Sequence, residues 1–134
     1  MEWIAGLSNA DGIRRIYEGG LPTLDRVRIH EISVNREGPA VRIRFDLSRY
    51  PASPPVKWQR SGCNTVQVEI AFGGVSELSL TRFSVEPICK LSIRNEGSIL
   101  FSAESESVNL SGVSESALVL NIFGYVDGSP EWRE

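Results

Sequence analysis

The chain has 134 residues and a formal net charge of −3, and its 41% hydrophobic and 23% charged residues exclude a disordered or fibrous protein. This length predicts a single domain over residues 1–134. No apolar run approaches the ~20 residues of a membrane span, and the first residues hold an acid and no basic region. We therefore expect no membrane segment and no secretory signal, and a soluble, cytoplasmic protein.

The first predicted element is a short helix near the N-terminus. Ser8 or Asn9 is its predicted N-cap, because short polar side chains accept hydrogen bonds from the first free amides of a helix. Ile13, Ile16 and Tyr17 follow at the spacing i, i+3, i+4, which places them on one buried stripe.

From residue 26 onward the apolar residues recur with a period of two, which predicts β-strands. The predicted strands are residues 26–34 with a bulge near His30–Glu31, then 41–47, 65–72, 75–80, 83–94, 98–104, 106–112 and 117–126. Pro87 is expected to break its strand or to place it at an edge of the sheet. The connection 48–64 is predicted to be a long loop stiffened by prolines. These elements predict an α+β fold, mostly antiparallel β with seven or eight strands in a sandwich or strongly curved sheet, and one short N-terminal helix.

Side chains that support catalysis are scarce in this sequence. His30 is the only histidine, and its position within a strand favours a structural or surface role. Glu104 and Glu106 share one strand face, but the serines around them favour an exposed pair over a buried catalytic one. Cys63 and Cys89 match no zinc spacing and are expected to be buried apolar groups. We therefore predict no catalytic residue, no metal and no cofactor.

Charge is distributed unevenly along the chain. Residues 95–132 contain no Lys or Arg, whereas the acids there are Glu96, Glu104, Glu106, Glu115, Asp127 and Glu131. Such a stretch forms either a solvated acidic face or a surface that attracts a basic partner. In both cases nucleic-acid binding is disfavoured, because phosphate contacts need clustered positive charge.

Two tryptophans are candidates for contact with a partner. Trp58 follows a proline-rich turn, where it can anchor a partner or plug the open end of the core. Trp132 lies in a charged setting near the C-terminus and is expected to be the more exposed of the two.

Three segments, in this order, carry a family resemblance: "IYEGGLPTLDRVRI", "EGPAVRIRFDL" and "YPASPPVKWQRSGCNTVQVEIAF". Together with the N-terminal Trp3 and the short helix, they resemble the immunity protein 50 family of bacterial polymorphic toxin systems. The likeness is firmest between residues 13 and 72.

The resemblance implies a small cytoplasmic antitoxin that is not an enzyme. It would neutralise a cognate toxin domain by direct protein–protein binding and steric occlusion, with no small-molecule substrate and no membrane partner. No functional residue carries over from the family. From charge and aromatic content we predict that Glu104, Glu106 and Glu115, together with Trp58 or Trp132, contact the toxin.

Three other functions stay open, as does the oligomeric state. A module that binds an apolar ligand or a sugar would need an internal cavity with convergent polar groups. A hydrolase would have to use His30 or a buried Glu104–Glu106 pair. A structural or regulatory subunit without catalysis is the third.

Overall fold

A computed structural model describes residues 2–133 of the chain. Within these residues, two α-helices and two 3-10 turns accompany eight strands; the helices are α1 (Asp11–Ile16) and α2 (Val56–Arg60), and the 3-10 turns are Trp3–Gly6 and Pro130–Arg133. The strands are β1 (Val27–Asn35), β2 (Ala40–Asp46), β3 (Thr65–Gly73), β4 (Glu77–Phe83), β5 (Ile88–Glu96), β6 (Ser98–Glu104), β7 (Val108–Ser114) and β8 (Ser116–Tyr125).

The eight strands form one antiparallel sheet in the order β4-β7-β6-β5-β1-β2-β3-β8, and the sheet is not closed. Only two residue pairs, at Val27–Cys89 and Arg28–Ile88, join β1 to β5. This narrow join divides the sheet into half A (β1, β2, β3 and β8) and half B (β4, β5, β6 and β7). The predicted fold class, mostly antiparallel β with few helical residues, is confirmed.

The two halves face each other across the hydrophobic core. Phe72 of β3 stacks on Phe101 of β6 with ring centroids 4.1 Å apart, and both rings are buried. Gly112 of β7 leaves room for this pair, because a Cβ there would lie 2.3 Å from Cζ of Phe101. One face of each half therefore packs on the core while the other faces outward, as the alternation of apolar residues predicts.

The N-terminal helix supplies apolar side chains to the same core. Ile13 and Tyr17 are buried and Ile16 is half-buried, which agrees with the predicted stripe. The predicted N-cap is wrong: α1 begins after Ala10, which makes no side-chain capping bond. Ser8 instead pairs with Leu118 at the edge of β8, and the Asn9 amide donates to the Val119 carbonyl at 2.9 Å. Short polar side chains that cap helices also bind strand backbone.

The strands lie near their predicted positions, with some differences in where they begin and end. The bulge in β1 falls between Ile29 and Glu31, as expected. The predicted strand 83–94 is interrupted by the segment 84–87, and β5 begins directly after Pro87. Strand β5 pairs with both β1 and β6, so it is interior, and β4 occupies the edge of the sheet. The connection 48–64 contains α2, which the proline-rich sequence did not indicate.

No helix in residues 2–133 is long and apolar enough to cross a membrane.

Candidate functional site

Ionisable side chains converge on Asp46, at the end of β2 on the outward face of half A. Its neighbours Phe45 and Leu47 point into the core, so the strand alternation turns Asp46 outward. Yet the Asp46 side chain has no exposed surface. Its carboxylate accepts hydrogen bonds from donors on three neighbouring strands: Arg28 Nη2 at 2.9 Å, His30 Nε2 at 2.8 Å, Gln67 Nε2 at 3.0 Å and the Tyr125 hydroxyl at 2.5 Å.

Residues 126–133, termed here the C-terminal strap, lie against Arg28, the arginine that binds this carboxylate. Asp127 in the strap accepts from Arg28 Nη2 at 2.9 Å and from the Trp132 indole Nε1 at 3.0 Å. The Arg28 guanidinium lies 5.1 Å from the centre of the Trp132 ring, a cation–π distance. Asn64 binds the strap from the other side, because its amide donates to the Asp127 carbonyl at 2.9 Å. We term Arg28, His30, Asp46, Gln67, Tyr125, Asp127 and Trp132 the Asp46 cluster.

The charges inside the Asp46 cluster are stabilised by its hydrogen bonds. Burial opposes the ionisation of Asp127, but the bonds from Ser129, Trp132 and Arg28 outweigh it and hold the pKa of Asp127 below its ordinary value. Burial also opposes the charge on Arg28, and its bonds to Asp46 and Tyr125 raise its pKa nonetheless. Burial, with the bond to Asp46, raises the pKa of Tyr125 to about 12, so the phenol stays a hydrogen-bond donor at neutral pH.

The hydrogen bonds of the cluster join its own members to one another. In this chain Nε2 of His30 is the nitrogen that contacts Asp46, and the Tyr125 hydroxyl lies 3.5 Å from it. Within residues 2–133 no group of three or more His, Cys, Asp or Glu is arranged to hold a metal ion. The geometry supports a structural role in which the cluster fixes the strap to half A.

The two tryptophans predicted to contact a partner lie on opposite faces of half A. Trp58 of α2 is half-buried and packs against the core side, beside Tyr50 at a centroid distance of 6.4 Å. Trp132 is also half-buried, on the outward face over Arg28. One flat partner surface therefore cannot contact both rings at once.

The three glutamates predicted to contact a partner are exposed, but they divide between two ends of half B. Glu104 ends β6, and Glu106 lies in the turn from β6 to β7. Glu115 lies between β7 and β8, at the other end of β7. The strand between them spans about 20 Å, so Glu104 and Glu106 share a patch that excludes Glu115.

An exposed apolar segment that sequence reasoning missed adjoins Glu104 and Glu106. Every residue from Ser76 to Pro87 is exposed, including all of β4. Phe83 is 64% exposed and Val85 is 98% exposed. The Ser84 amide donates to the Ser107 carbonyl at 3.0 Å, which places this segment beside the turn that carries Glu106. We term Phe83, Val85, Glu86, Glu104 and Glu106 the acidic tip. The adjacent run of acids was visible in the sequence, but the failure of β4 to bury its apolar residues was not.

A comparison with protein families identifies the relatives of this chain. The family model described as Immunity protein 50 matches residues 9–124, from just before α1 to near the end of β8. Neither a curated protein nor a solved structure matches the chain. Since the family match covers most of the chain, this protein belongs to the Immunity protein 50 family.

Proposed function

We propose that this chain neutralises a cognate bacterial toxin by binding the toxin domain directly and covering its active site. The observation that carries the proposal is the Immunity protein 50 match over residues 9–124. An immunity protein acts through tight association, so it needs a complementary surface rather than catalytic groups. In this proposal the chain is not an enzyme and acts in the cytoplasm.

The acidic tip is the surface that we propose for the toxin. Phe83 and Val85 project apolar groups into solvent, and the exposed acids Glu86, Glu104 and Glu106 surround them. Interfaces combine an apolar centre, which excludes water, with a charged rim that sets orientation and association rate. The tip has both parts. Two basic residues adjoin it: Lys90 lies opposite Glu104 across the strands, and exposed Arg82 directly precedes Phe83.

The chemistry of the tip indicates a basic surface on the toxin. Acids on the rim accelerate encounter with a positively charged cleft, such as the substrate cleft of a nuclease. Binding there would block access of the toxin's own substrate. Glu115 and Trp132 lie apart from the tip, and we propose that they contact the toxin only at the margin of the interface; Trp58 mainly seals the core.

Two of the other functions considered from the sequence, a hydrolase and a module for an apolar ligand, gain little support from the geometry. Glu104 and Glu106 are both exposed, so they do not form the buried carboxyl pair that a hydrolase would use. A depression of about 440 Å³ on the outward face of half B is lined mainly by serines and charged residues, including Ser92, Ser102 and Ser111. This depression is open to solvent, unlike the enclosed apolar cavity expected for an apolar ligand.

Co-expression with the proposed cognate toxin domain tests the proposal. We expect the chain to restore growth to cells that express the toxin domain, and Phe83→Ser to lose most of this protection. Val34→Ser is the matched control, because Val34 on β1 is 60% exposed and lies outside the tip. Failure of the unmodified chain to protect would contradict the function, whereas equal protection by both variants would contradict only the surface.

A further inference from the structure

Within residues 2–133, the outer edge of β4 has no partner strand, so its backbone groups are free to pair. Strand β4 is the terminal strand of the sheet and pairs only with β7, through residues 77–83. The opposite terminal strand, β8, is partly covered, since the Ser8 amide donates to the Ala117 carbonyl at 2.9 Å and the Val119 amide donates to the Ser8 carbonyl at 3.0 Å. A terminal strand presents a row of free N–H and C=O groups that can pair with another strand.

Strand β4 also carries apolar side chains that the chain itself does not cover. Leu78 and Leu80 lie on the core-facing side, in register with the buried Gly112 and Leu110 of β7. They nevertheless remain 38% and 43% exposed. The strand lacks proline and lysine, which commonly protect edges from pairing, and its β-bulge lies after Thr81, at one end of the strand. The apolar, core-facing side of the sheet therefore extends to β4, where the described residues cover it only in part.

We propose that β4 pairs antiparallel with β4 of a second copy, which makes the protein a two-fold symmetric dimer. The regular ladder of β4 runs from Glu77 to Thr81, because the register with β7 shifts between Thr81 and Phe83, where Arg82 has a φ of 57°. A two-fold axis at Ser79, the midpoint of that ladder, pairs all of residues 77–81 with their symmetry mates. An interface of this kind is self-complementary by construction.

In this register, leucines lie opposite leucines on one face of the paired strands, and opposite charges lie side by side at the ends of the ladder. Leu78 of each copy lies opposite Leu80 of the other, so four leucines form one apolar cluster. Glu77 of each copy lies beside Thr81 and Arg82 of the other. Neither Glu77 nor Arg82 makes an ion pair within residues 2–133, so the second copy supplies each with an opposite charge. This charge complementarity favours a second copy over an unrelated strand.

The dimer also changes the arrangement of the exposed glutamates. The β7 strands of the two copies lie three strand spacings apart, or about 14 Å. Because the strands are antiparallel, Glu115 of one copy lies at the same end of the joined sheet as the Glu106 turn of the other. Glu106 and Glu115 lie at opposite ends of the sheet in one chain, but in the dimer Glu106 of one copy and Glu115 of the other lie at the same end. Any role of that combined surface in toxin binding rests on the proposed function.

A designed disulfide tests the register without removing an apolar contact. At the axis the two Ser79 Cα atoms would lie about 4.5–5.5 Å apart, a distance that a disulfide spans. In a Cys63→Ser background, Ser79→Cys is expected to form covalent dimers under mild oxidation. Ser111→Cys is the matched control, because Ser111 is exposed on β7 directly opposite Ser79, and its symmetry mate would be about 14 Å away. Equal crosslinking of both variants, or none of Ser79→Cys, would overturn the register.

Mass measurement in solution tests the dimer itself. Sedimentation equilibrium of the purified chain should give about twice the 14.8 kDa chain mass, and Leu80→Lys should give a monomer with an unchanged circular dichroism spectrum. Leu120→Lys on β8 is the matched control, because Leu120 is 42% exposed and lies on the other terminal strand; it should remain dimeric. A monomeric unmodified chain, or a Leu80→Lys variant that stays dimeric, would overturn the proposal.

Discussion

The indole of Trp58 lies directly against the backbone of Gly124 in β8. A Cβ built at Gly124 would lie 2.7 Å from Cδ2 of Trp58 and 3.0 Å from its Cγ. Real Cβ atoms do not approach a ring this closely, so glycine at 124 is what lets α2 pack onto half A. Of the two roles that the sequence left open for Trp58, sealing the core is the one that this contact supports.

Gly124→Ala is therefore expected to destabilise the protein by about 1–3 kcal/mol, the usual cost of overpacking. Gly128→Ala is the control, because nothing lies within 4 Å of a Cβ at Gly128, and its effect should stay within about 0.5 kcal/mol. Urea unfolding measures both. In a Trp58→Ala background the cost of Gly124→Ala should largely disappear; an unchanged cost would show that Trp58 is not its cause.

Asp46→Ala should be among the most destabilising single substitutions in the chain. It would leave Arg28 paired with Asp127 alone, and removing a partner from a buried ion pair costs as much as about 3–5 kcal/mol when no other charge compensates. Asp46→Asn keeps the shape and one acceptor oxygen, so its cost should be smaller. Asp25→Ala, at an exposed position, is the control. Urea titration measures the unfolding free energy of each variant. Equal unfolding free energies for Asp46→Ala and Asp25→Ala would contradict a structural role for the cluster.

The strap should loosen as the pH falls. Because the pKa of folded Asp127 lies below its ordinary value of 3.8, its contribution to stability is complete above about pH 5 and is lost as the pH falls through the folded pKa. The difference in unfolding free energy between the unmodified chain and Asp127→Asn should be constant from pH 7 to pH 5 and should shrink below about pH 4. A difference in unfolding free energy that grows as the pH falls would contradict the lowered pKa of Asp127.

The two cysteines should react at different rates with a thiol reagent. Cys89 is 4% exposed, and burial raises the pKa of its thiol to about 11. Cys63 is half-buried. Labelling with 5,5′-dithiobis(2-nitrobenzoate) should therefore modify Cys63 in the folded protein and Cys89 only after unfolding. The Cys63→Ser variant should then show almost no reaction while folded, and rapid reaction of that variant would contradict the buried position of Cys89.

The acidic tip should control the rate at which the chain associates with its proposed toxin. Glu104→Lys combined with Glu106→Lys should slow association with the toxin domain by about tenfold at low ionic strength, and the difference should shrink as salt is added. Glu18→Lys combined with Glu37→Lys reverses two exposed acids elsewhere and is the control. Glu115→Lys should have the smaller effect of a marginal residue. Stopped-flow kinetics in which the tip and control variants are equally slow would remove the tip from the interface.

The alternation of apolar residues predicted most of the sheet because that pattern reports which side of a strand is buried. It placed the core faces of β2 and β3 and the bulge in β1. It did not predict the edge, because Leu78 and Leu80 of β4 have the same alternation as buried leucines yet remain partly exposed. Which strands lie side by side depends on pairing across the chain, and a local pattern carries no such information.

The Asp46 cluster was missed for a similar reason. His30, Asp46 and Asp127 are far apart in the sequence, and each is unremarkable as a single polar residue on a strand or in a tail. They meet only because β1, β2 and β8 lie close together and the strap folds back over them. The strap is held by hydrogen bonds and a cation–π contact rather than by an apolar stripe. The sequence of residues 127–133, polar apart from Trp132, therefore did not predict this packing.

Isothermal titration calorimetry of the purified chain with the purified domain of its proposed cognate toxin is the decisive test of neutralisation by direct contact. We expect saturable binding at a fixed ratio, loss of the toxin domain's activity in the same titration, and weaker binding by Phe83→Ser than by Val34→Ser. Absence of binding under conditions where the chain protects growing cells would contradict neutralisation by direct contact.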